Sequence, residues 1–223
     1  MNSLTLKYFN ETDFFKDDQR ADSMFYSNPR FVSHLDSLAL STVENIYARL
    51  IPKEADILDL MAGPDSHLRE ELVLKSVTGL GLNKDELEAN TQLSAIIIHD
   101  LNKDYILPFN NHTFDAVINT VSVDYLIRPV DVFSEVGRVL RPDGIFILVF
   151  SNRMFPPKAV NIWKNTLEKD RIDLVKKFIT LSEALVVQGY SESKGKPRPE
   201  NDKYFKYGIP SDPIYAVWAS VKK

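Results

Sequence analysis

The apolar positions divide the chain into helix-like and strand-like stretches that alternate from about residue 35 to the C-terminus. Leu35, Leu38, Val43, Ile46 and Leu50 recur at helical spacing, and Pro52 stops the run. ADILDLM (55–61) then predicts a short buried strand, with Ser66 as candidate N-cap of a helix after it. SVTGLGL (76–82) predicts a second strand, 84–90 a short helix, and the β-branched SAIIIHD (94–100) a third strand. FDAVINTV (114–121) is a further apolar run, followed by a helix carrying Val132, Phe133, Val136, Val139 and Leu140. RPDG (141–144) is turn chemistry leading into IFILVF (145–150), the clearest buried strand. One or two helices over about 157–187, a Lys/Gly/Pro-rich loop over 194–213 and a closing strand PIYAVWASV (213–221) complete the pattern. The first 30 residues are polar and aromatic without a period and predict loop or short helix.

Strands that are apolar throughout, rather than alternating, and that are separated by helices predict a mostly parallel sheet with helices on both faces. There is no internal repeat and no dividing linker. The expectation is one α/β domain over 1–223, with residues 1–52 as a helical lid or cap and 53–223 as the sheet core.

Composition narrows the function classes. At 223 residues the chain suffices for one sizeable α/β core. The absence of cysteine removes disulfides, thiolate metal sites and a cysteine nucleophile together. A net charge of −4 gives no global attraction to nucleic acid or to an anionic membrane. The acidic start MNSLTLKYFNETDFFKDD lacks the apolar core of a secretory signal, and no apolar run approaches the roughly 20 residues of a membrane span. A cytoplasmic protein without nucleic-acid partner is expected, and nothing in the composition sets an oligomeric state.

The stretch ILDLMAGPDSHL (57–68) concentrates the candidate chemistry. In open parallel sheets, ligands sit beyond the carboxyl ends of the strands, near the point where strand order reverses. A loop cradling a pyrophosphate uses several glycines for close backbone approach, whereas here there is only Gly63, followed by Pro64. One glycine suffices for a ligand without phosphates, such as a ribose with an aliphatic chain, and a following helix N-terminus would favour a carboxylate. Alternatively, Gly63-Pro64 is a turn and nothing more.

Residues 55–152 resemble class I S-adenosylmethionine-dependent methyltransferases of the small-molecule type. That family has an acid, then LPF, FDAV, a helix ending VLRPGG and an apolar strand. Here stand Asp100, Leu107-Pro108-Phe109, Phe114-Asp115-Ala116-Val117 and Val139-Leu140-Arg141-Pro142-Asp143-Gly144, in that order. The resemblance implies a Rossmann-like, doubly wound, seven-stranded sheet, S-adenosylmethionine as cofactor, S-adenosylhomocysteine as product and a small-molecule methyl acceptor as partner. It assigns Asp59 to the methionine end, Gly63 to the middle glycine of a GxGxG whose flanking places hold Met61 and Asp65, and Ala62 to the loop between. Asp100 matches the acid that meets the adenine amino group, with Leu101 beside the ring, and Thr120, Val121 and Ser122 face the sulfonium and acceptor. The family's ribose-gripping acid at the second strand's end is missing, for Gly81 occupies its place. The amide of Asn83, two residues on, is the expected substitute. MFYSNPRFVSHLD (24–36), LMAGPDSHL (60–68), GLGLNKDEL (79–87) and SNRMFPPKA (151–159) resemble a branch of the same superfamily in which these departures are features.

Methyl transfer from a sulfonium needs alignment, exclusion of water and, for a hydroxyl or acidic carbon, a base. His34 is the candidate base. Arg30, four residues earlier and on the same face if the segment is helical, is positioned to meet the cofactor carboxylate. The alternatives are a capping histidine and a surface arginine. His67 points at the methionine end or closes the turn, His99 reads as structural and His112 as solvent-facing. Tyr125 is a candidate for orienting or deprotonating the acceptor. Tyr26, Ser122, Asn152 and Arg153 are the remaining acceptor-side candidates, with Lys158 close by. The four histidines show no metal-ligand spacing. A nucleic-acid amino-methyltransferase is disfavoured because NTVSVDY (119–125) lacks the proline pair expected after strand four. A fold that binds the cofactor without transferring its methyl group is the alternative that the missing acid suggests. A nicotinamide oxidoreductase is disfavoured by the lone glycine.

Overall fold

The computed structural model describes residues 3–223; Met1 and Asn2 lie outside the described residues. Three short elements precede the sheet: α1 (Leu4–Tyr8), a 3₁₀ turn (Glu11–Phe14) and α2 (Asp22–Phe25). The first long helix, α3 (Ser37–Leu50), starts two residues later than its apolar pattern because Asp36 caps it. The Asp36 carboxylate accepts from Leu38 N and Ala39 N at 3.0 and 3.1 Å.

The sheet then builds through β1 (Ala55–Leu60), β2 (Leu74–Gly81), α4 (Lys84–Ala89), β3 (Ala95–Ile98), β4 (Phe114–Thr120), α5 (Pro129–Val139) and β5 (Leu140–Phe150). After α6 (Asn161–Asn165) and α7 (Arg171–Leu181), β6 (Leu185–Ser193) and β7 (Ile214–Val221) close it. The seven strands lie in the order β3-β2-β1-β4-β5-β7-β6. All pairings are parallel except β5–β7 and β6–β7, which are antiparallel. Strand order reverses at β1, flanked by β2 and β4, so the crevice of the fold opens at the carboxyl ends of those three strands.

Neighbouring strand residues point to opposite faces, which separates two cores. Ile57, Val77, Ala116, Ile118, Ile147 and Ala216 pack under α3. Leu58, Leu80, Val117, Phe146, Leu148 and Val217 pack under α5 and α7. Asp131 of α5 is buried and accepts from Ser3 Oγ, Leu4 N and Thr5 N at 2.6, 2.6 and 3.1 Å, which anchors α1 on that second face.

Three expectations need correction. First, no helix follows β1, so Ser66 caps none and the loop after β1 brings no helix N-terminus to the crevice. Residues 61–73 form an irregular loop instead. Side chains from beyond α4 satisfy its backbone: Gln92 Oε1 accepts from Ser66 N and Leu68 N at 3.0 and 3.4 Å, and Asn90 Nδ2 donates to Gly63 O at 3.0 Å. Second, the helical stretch ends at Leu181 and β6 begins at Leu185, where the pattern predicted helix to 187. This is an edge strand whose residues alternate out and in, with Tyr190 exposed and Gly189 leaving room for the Trp218 ring. Third, RPDG is not a turn ahead of a strand but an excursion within β5. Phe114 pairs with Leu140 and Ala116 with Ile145, while Arg141 in between bonds Asp115 and Asp56.

Candidate functional site

A cavity of about 470 Å³ opens at the carboxyl ends of β1, β2 and β4. That volume lies within the range of small-molecule sites. Asp59, Met61, Ala62, Gly63 and His67 form the β1 side, Gly81, Leu82 and Asn83 the β2 side, Asp100 and Leu101 the β3 side, and Thr120, Val121 and Ser122 the β4 side. The outer wall is aromatic, from Tyr26, His34, Tyr125 and Phe155.

Backbone strain gathers here. Met61, His67 and Val121 all have φ in the left-handed region, at 62°, 56° and 44°, and all three line the cavity. For a β-branched valine this conformation is a true outlier, sustained only where surroundings enforce it. At Val121 the enforcing contact is its N–H bond to Val149 O at 2.8 Å, which continues the β4–β5 ladder past the end of the strand.

Asp59 is buried, and loss of solvation raises its carboxyl to about 6, against the help of Ser66 and His67. His67 lines the cavity and closes the turn, with its backbone N–H on Asp65 Oδ1 at 2.8 Å and its ring 3.3 Å from that carboxylate. Thr120 Oγ1 lies 2.6 Å from the buried Tyr47 hydroxyl. Asp100 Oδ1 accepts from Asn102 N, which orients the carboxylate at the cavity's β3 edge. His99 lines the cavity with Nε2 2.7 Å from Asp104 O. His112, expected to face solvent, is exposed with Nδ1 3.0 Å from Leu140 O.

Residues 26–36 are not helical, so Arg30 and His34 do not share a helix face; they meet because an extended segment folds over the cavity. The Arg30 guanidinium lies 4.8 Å from the Phe25 ring centre and 5.3 Å from those of Tyr26 and Phe155. Its Nη2 donates to Phe25 O at 2.9 Å, while Nη1 is buried without a partner. A buried guanidinium nitrogen with no acceptor is costly unless a ligand supplies one. The Tyr26 hydroxyl is likewise buried and unpartnered. The His34 ring packs on Phe155 at 5.3 Å, and burial, then the charges of Arg30, Arg153 and His67, hold its pKa below 6.5. Tyr125 accepts from Phe155 N at 2.8 Å, and burial raises its phenol far out of the physiological range. That makes it a poor base, and an orienting role fits better.

The structure draws most of the sequence-selected residues into this one space, with four corrections. Asn152 and Arg153 do not line the cavity: Asn152 reaches Glu168 and Arg153 lies over Tyr204, while Phe155 fills the wall instead. Lys158 is fully buried against Asp22 Oδ1 at 3.1 Å and the carbonyls of Asp18 and Arg20, so it fastens the N-terminal segment rather than shaping an anion pocket. Asn83 lines the cavity, but its amide donates to Tyr26 O and Ser27 O and accepts from Glu86 N, which leaves no hydrogen for a ribose. Asp124, expected beside Tyr125 as a substrate contact, does not line the cavity; it is fully buried, and desolvation pushes its carboxyl up to about 7. One residue escaped the sequence reading: Glu86, which stands in the cavity wall. Among the described residues no group of three His, Asp or Glu side chains is arranged for a metal ion.

Comparison with known proteins relates the sheet's central strands to one family. Residues 59–148 match the methyltransferase domain family. The matched stretch runs from the end of β1 into β5, under half of the chain. A stretch of 98 residues, 40% of this chain, is 31% identical to cycloartenol-C-24-methyltransferase 1 of Oryza sativa subsp. japonica. The chain spans little more than a quarter of that relative's length, 28%. Likeness of fold extends over nearly all of the chain. A Pyrococcus horikoshii protein superposes with a TM-score of 0.59 at 18% identity, covering 89% of this chain and 99% of that one. A TehB-like methyltransferase of Corynebacterium glutamicum gives 0.52 at 15%, covering 80% and 86%. The [4+2]-cyclase SpnF gives 0.59 at 13%, covering 95% and 88%.

Proposed function

We propose that the chain is an S-adenosylmethionine-dependent methyltransferase acting on a small molecule, with residues 1–52 capping a single domain. The observation that carries this is one continuous cavity. It runs from the buried Asp59 and a bare glycine at the strand ends to an aromatic wall of Tyr26, Tyr125 and Phe155. The residues present suit an adenosyl group carrying an amino acid. Gly63 has nothing nearer than 3.8 Å to where a Cβ would stand, and the unpartnered Arg30 Nη1 suits a carboxylate. In this reading Asp59 and Arg30 hold the amino-acid end, Met61, Ala62 and His67 the middle, and Asp100 and Leu101 the adenine. When bound, the cofactor supplies a sulfonium methyl as electrophile.

The chain's own residues align the acceptor and manage its proton. Tyr26, Tyr125 and Phe155 offer flat apolar faces, with Ser122 and the Tyr26 hydroxyl as polar fixtures. This supports an acceptor that is partly aromatic or apolar. His34, neutral at pH 7 because its pKa is lowered, is the group able to take a proton from it. Purified protein incubated with S-adenosylmethionine and a panel of phenols, amines and unsaturated apolar compounds should release S-adenosylhomocysteine with at least one class. Cofactor binding without release for any acceptor would favour a binding protein. That second reading draws support from the closed β2 terminus at Gly81 and from the likeness to a cyclase of the same fold.

A further inference from the structure

The carboxyl end of β2 is closed to side chains. A Cβ on Gly81 would stand 2.5 Å from the Ala62 carbonyl oxygen and 3.3 Å from Leu87 Cδ2. The first of these is backbone, held in place by the Ala62 N–H bond to Leu80 O at 2.8 Å, so it cannot step aside cheaply. No acid can be grafted at that position without moving the β1 loop.

A carboxylate reaches the same region from another element. Glu86 lies three residues after the Asn83 cap, the spacing of a capping box, in which its side chain would fold back onto the Asn83 N–H. Only half of that box is made: Asn83 Oδ1 accepts from Glu86 N at 3.1 Å, while the Glu86 carboxylate turns away. Its Oε1 accepts from Arg30 N at 2.7 Å. Its Oε2 has no partner among the described residues and lies 3.8 Å from where a Cβ on Gly63 would stand. Glu86 and Gly63 both line the cavity, and partial burial raises the Glu86 pKa, as expected for a carboxylate short of donors.

We propose that Glu86 is the residue that receives the ribose hydroxyls of an adenosyl ligand, with Oε2 as the accepting atom. This rests on the adenosyl reading of the cavity. Gly63 then serves a second purpose, since a bare backbone leaves the space beside Oε2 open to a sugar. Arg30 N fixes the other oxygen, so the segment covering the cavity and the hydroxyl acceptor are set by one side chain. Hydroxyl donors to a carboxylate form short, charge-assisted bonds, and such bonds carry most of the recognition of a diol.

Calorimetry with three probes tests it: S-adenosylhomocysteine, its 2′-deoxy counterpart and 5′-methylthioadenosine, which lacks the amino acid. Glu86→Ala should weaken S-adenosylhomocysteine and methylthioadenosine about 10- to 100-fold alike. It should leave the 2′-deoxy compound, already weak on wild type, nearly unchanged. Glu86→Gln keeps an acceptor for Arg30 N and should show the same ranking with a smaller loss, while ligand-free melting of each variant reports folding. Equal losses for the ribose and deoxyribose compounds would overturn the assignment. So would undiminished methylthioadenosine binding, which would put Glu86 at the amino-acid end. If wild type binds none of the three, the adenosyl reading itself fails.

Discussion

Two ionisable side chains make opposite demands on pH. Asp124 is fully buried with Oδ2 unpartnered, and desolvation, offset in part by its own backbone N–H and by Arg171, brings its carboxyl to about 7. A carboxyl raised in the folded state binds its proton more tightly there than in the unfolded chain, so its contribution to stability is lost as pH rises from 3.8 towards 7. Between pH 5 and pH 8 that amounts to ~3 kcal/mol. Asp124→Asn should therefore flatten the decline, and urea unfolding of both proteins at the two pH values checks it; parallel curves would place the pH dependence elsewhere. His34 is shifted the other way, below 6.5, by burial and the nearby Arg30, Arg153 and His67 charges. If its neutral ring is the base, kcat/KM should hold on lowering pH through 6.5 and fall only further down. Asp59, at about 6, titrates nearby, so the separating measurement is His34→Ala. That variant should lose turnover at least 100-fold, retain cofactor affinity and show no such limb. Full activity in the variant would remove the role.

The elements were legible where each carries its own signal, and illegible where a distant one supplies it. Buried parallel strands such as β1 and β5 read directly, because both faces demand apolar residues. The edge strand β6 did not, since one face meets solvent and a glycine sits under Trp218. The missing helix after β1 was invisible because Asn90 and Gln92, from a later loop, satisfy the backbone of 61–73. In the site, Asp59, Gly63 and Asp100 follow from strand ends, whereas Glu86 reads as a capping residue and Phe155 as part of a proline loop until the fold brings them together. The covering segment has the same origin. Lys158, buried against Asp22 and two carbonyls, joins the loop after β5 to residues 18–22, beside the bonds Asp18 N to Pro157 O and Asn161 N to Phe15 O. Lys158→Ala leaves the Asp22 carboxylate with Lys16 and the Asn102 amide but strands the Asp18 and Arg20 carbonyls, and should cost about 1–3 kcal/mol. Limited proteolysis should then cut within residues 10–32 well before wild type is cut. Unchanged cleavage there would mean that the segment is held by its aromatic contacts.

At the scale of the molecule, the site exists only where separate pieces converge. The carboxyl ends of β1, β2, β3 and β4 form its floor, and the segment before α3 forms its roof. No single element holds a ligand, so binding should couple to the global stability of the chain. A ligand at 100 times its dissociation constant stabilises by about 2.7 kcal/mol, which for a domain of this size corresponds to a rise in Tm of about 5–10 °C. S-adenosylmethionine should produce that rise and NAD should not, because the loop after β1 offers one bare glycine and no helix N-terminus for a pyrophosphate. Gly63→Val is the control. The space at its Cβ position is open, with Glu86 Oε2 at 3.8 Å the nearest atom, so the ligand-free Tm should stay near that of wild type. The branched side chain would still occupy the space beside Glu86, and the shift with S-adenosylmethionine should vanish. A variant that melts like wild type and still shifts would mean that the ligand binds away from the β1 end. A shift with NAD equal to that with S-adenosylmethionine would mean that the crevice recognises only the adenosine the two share.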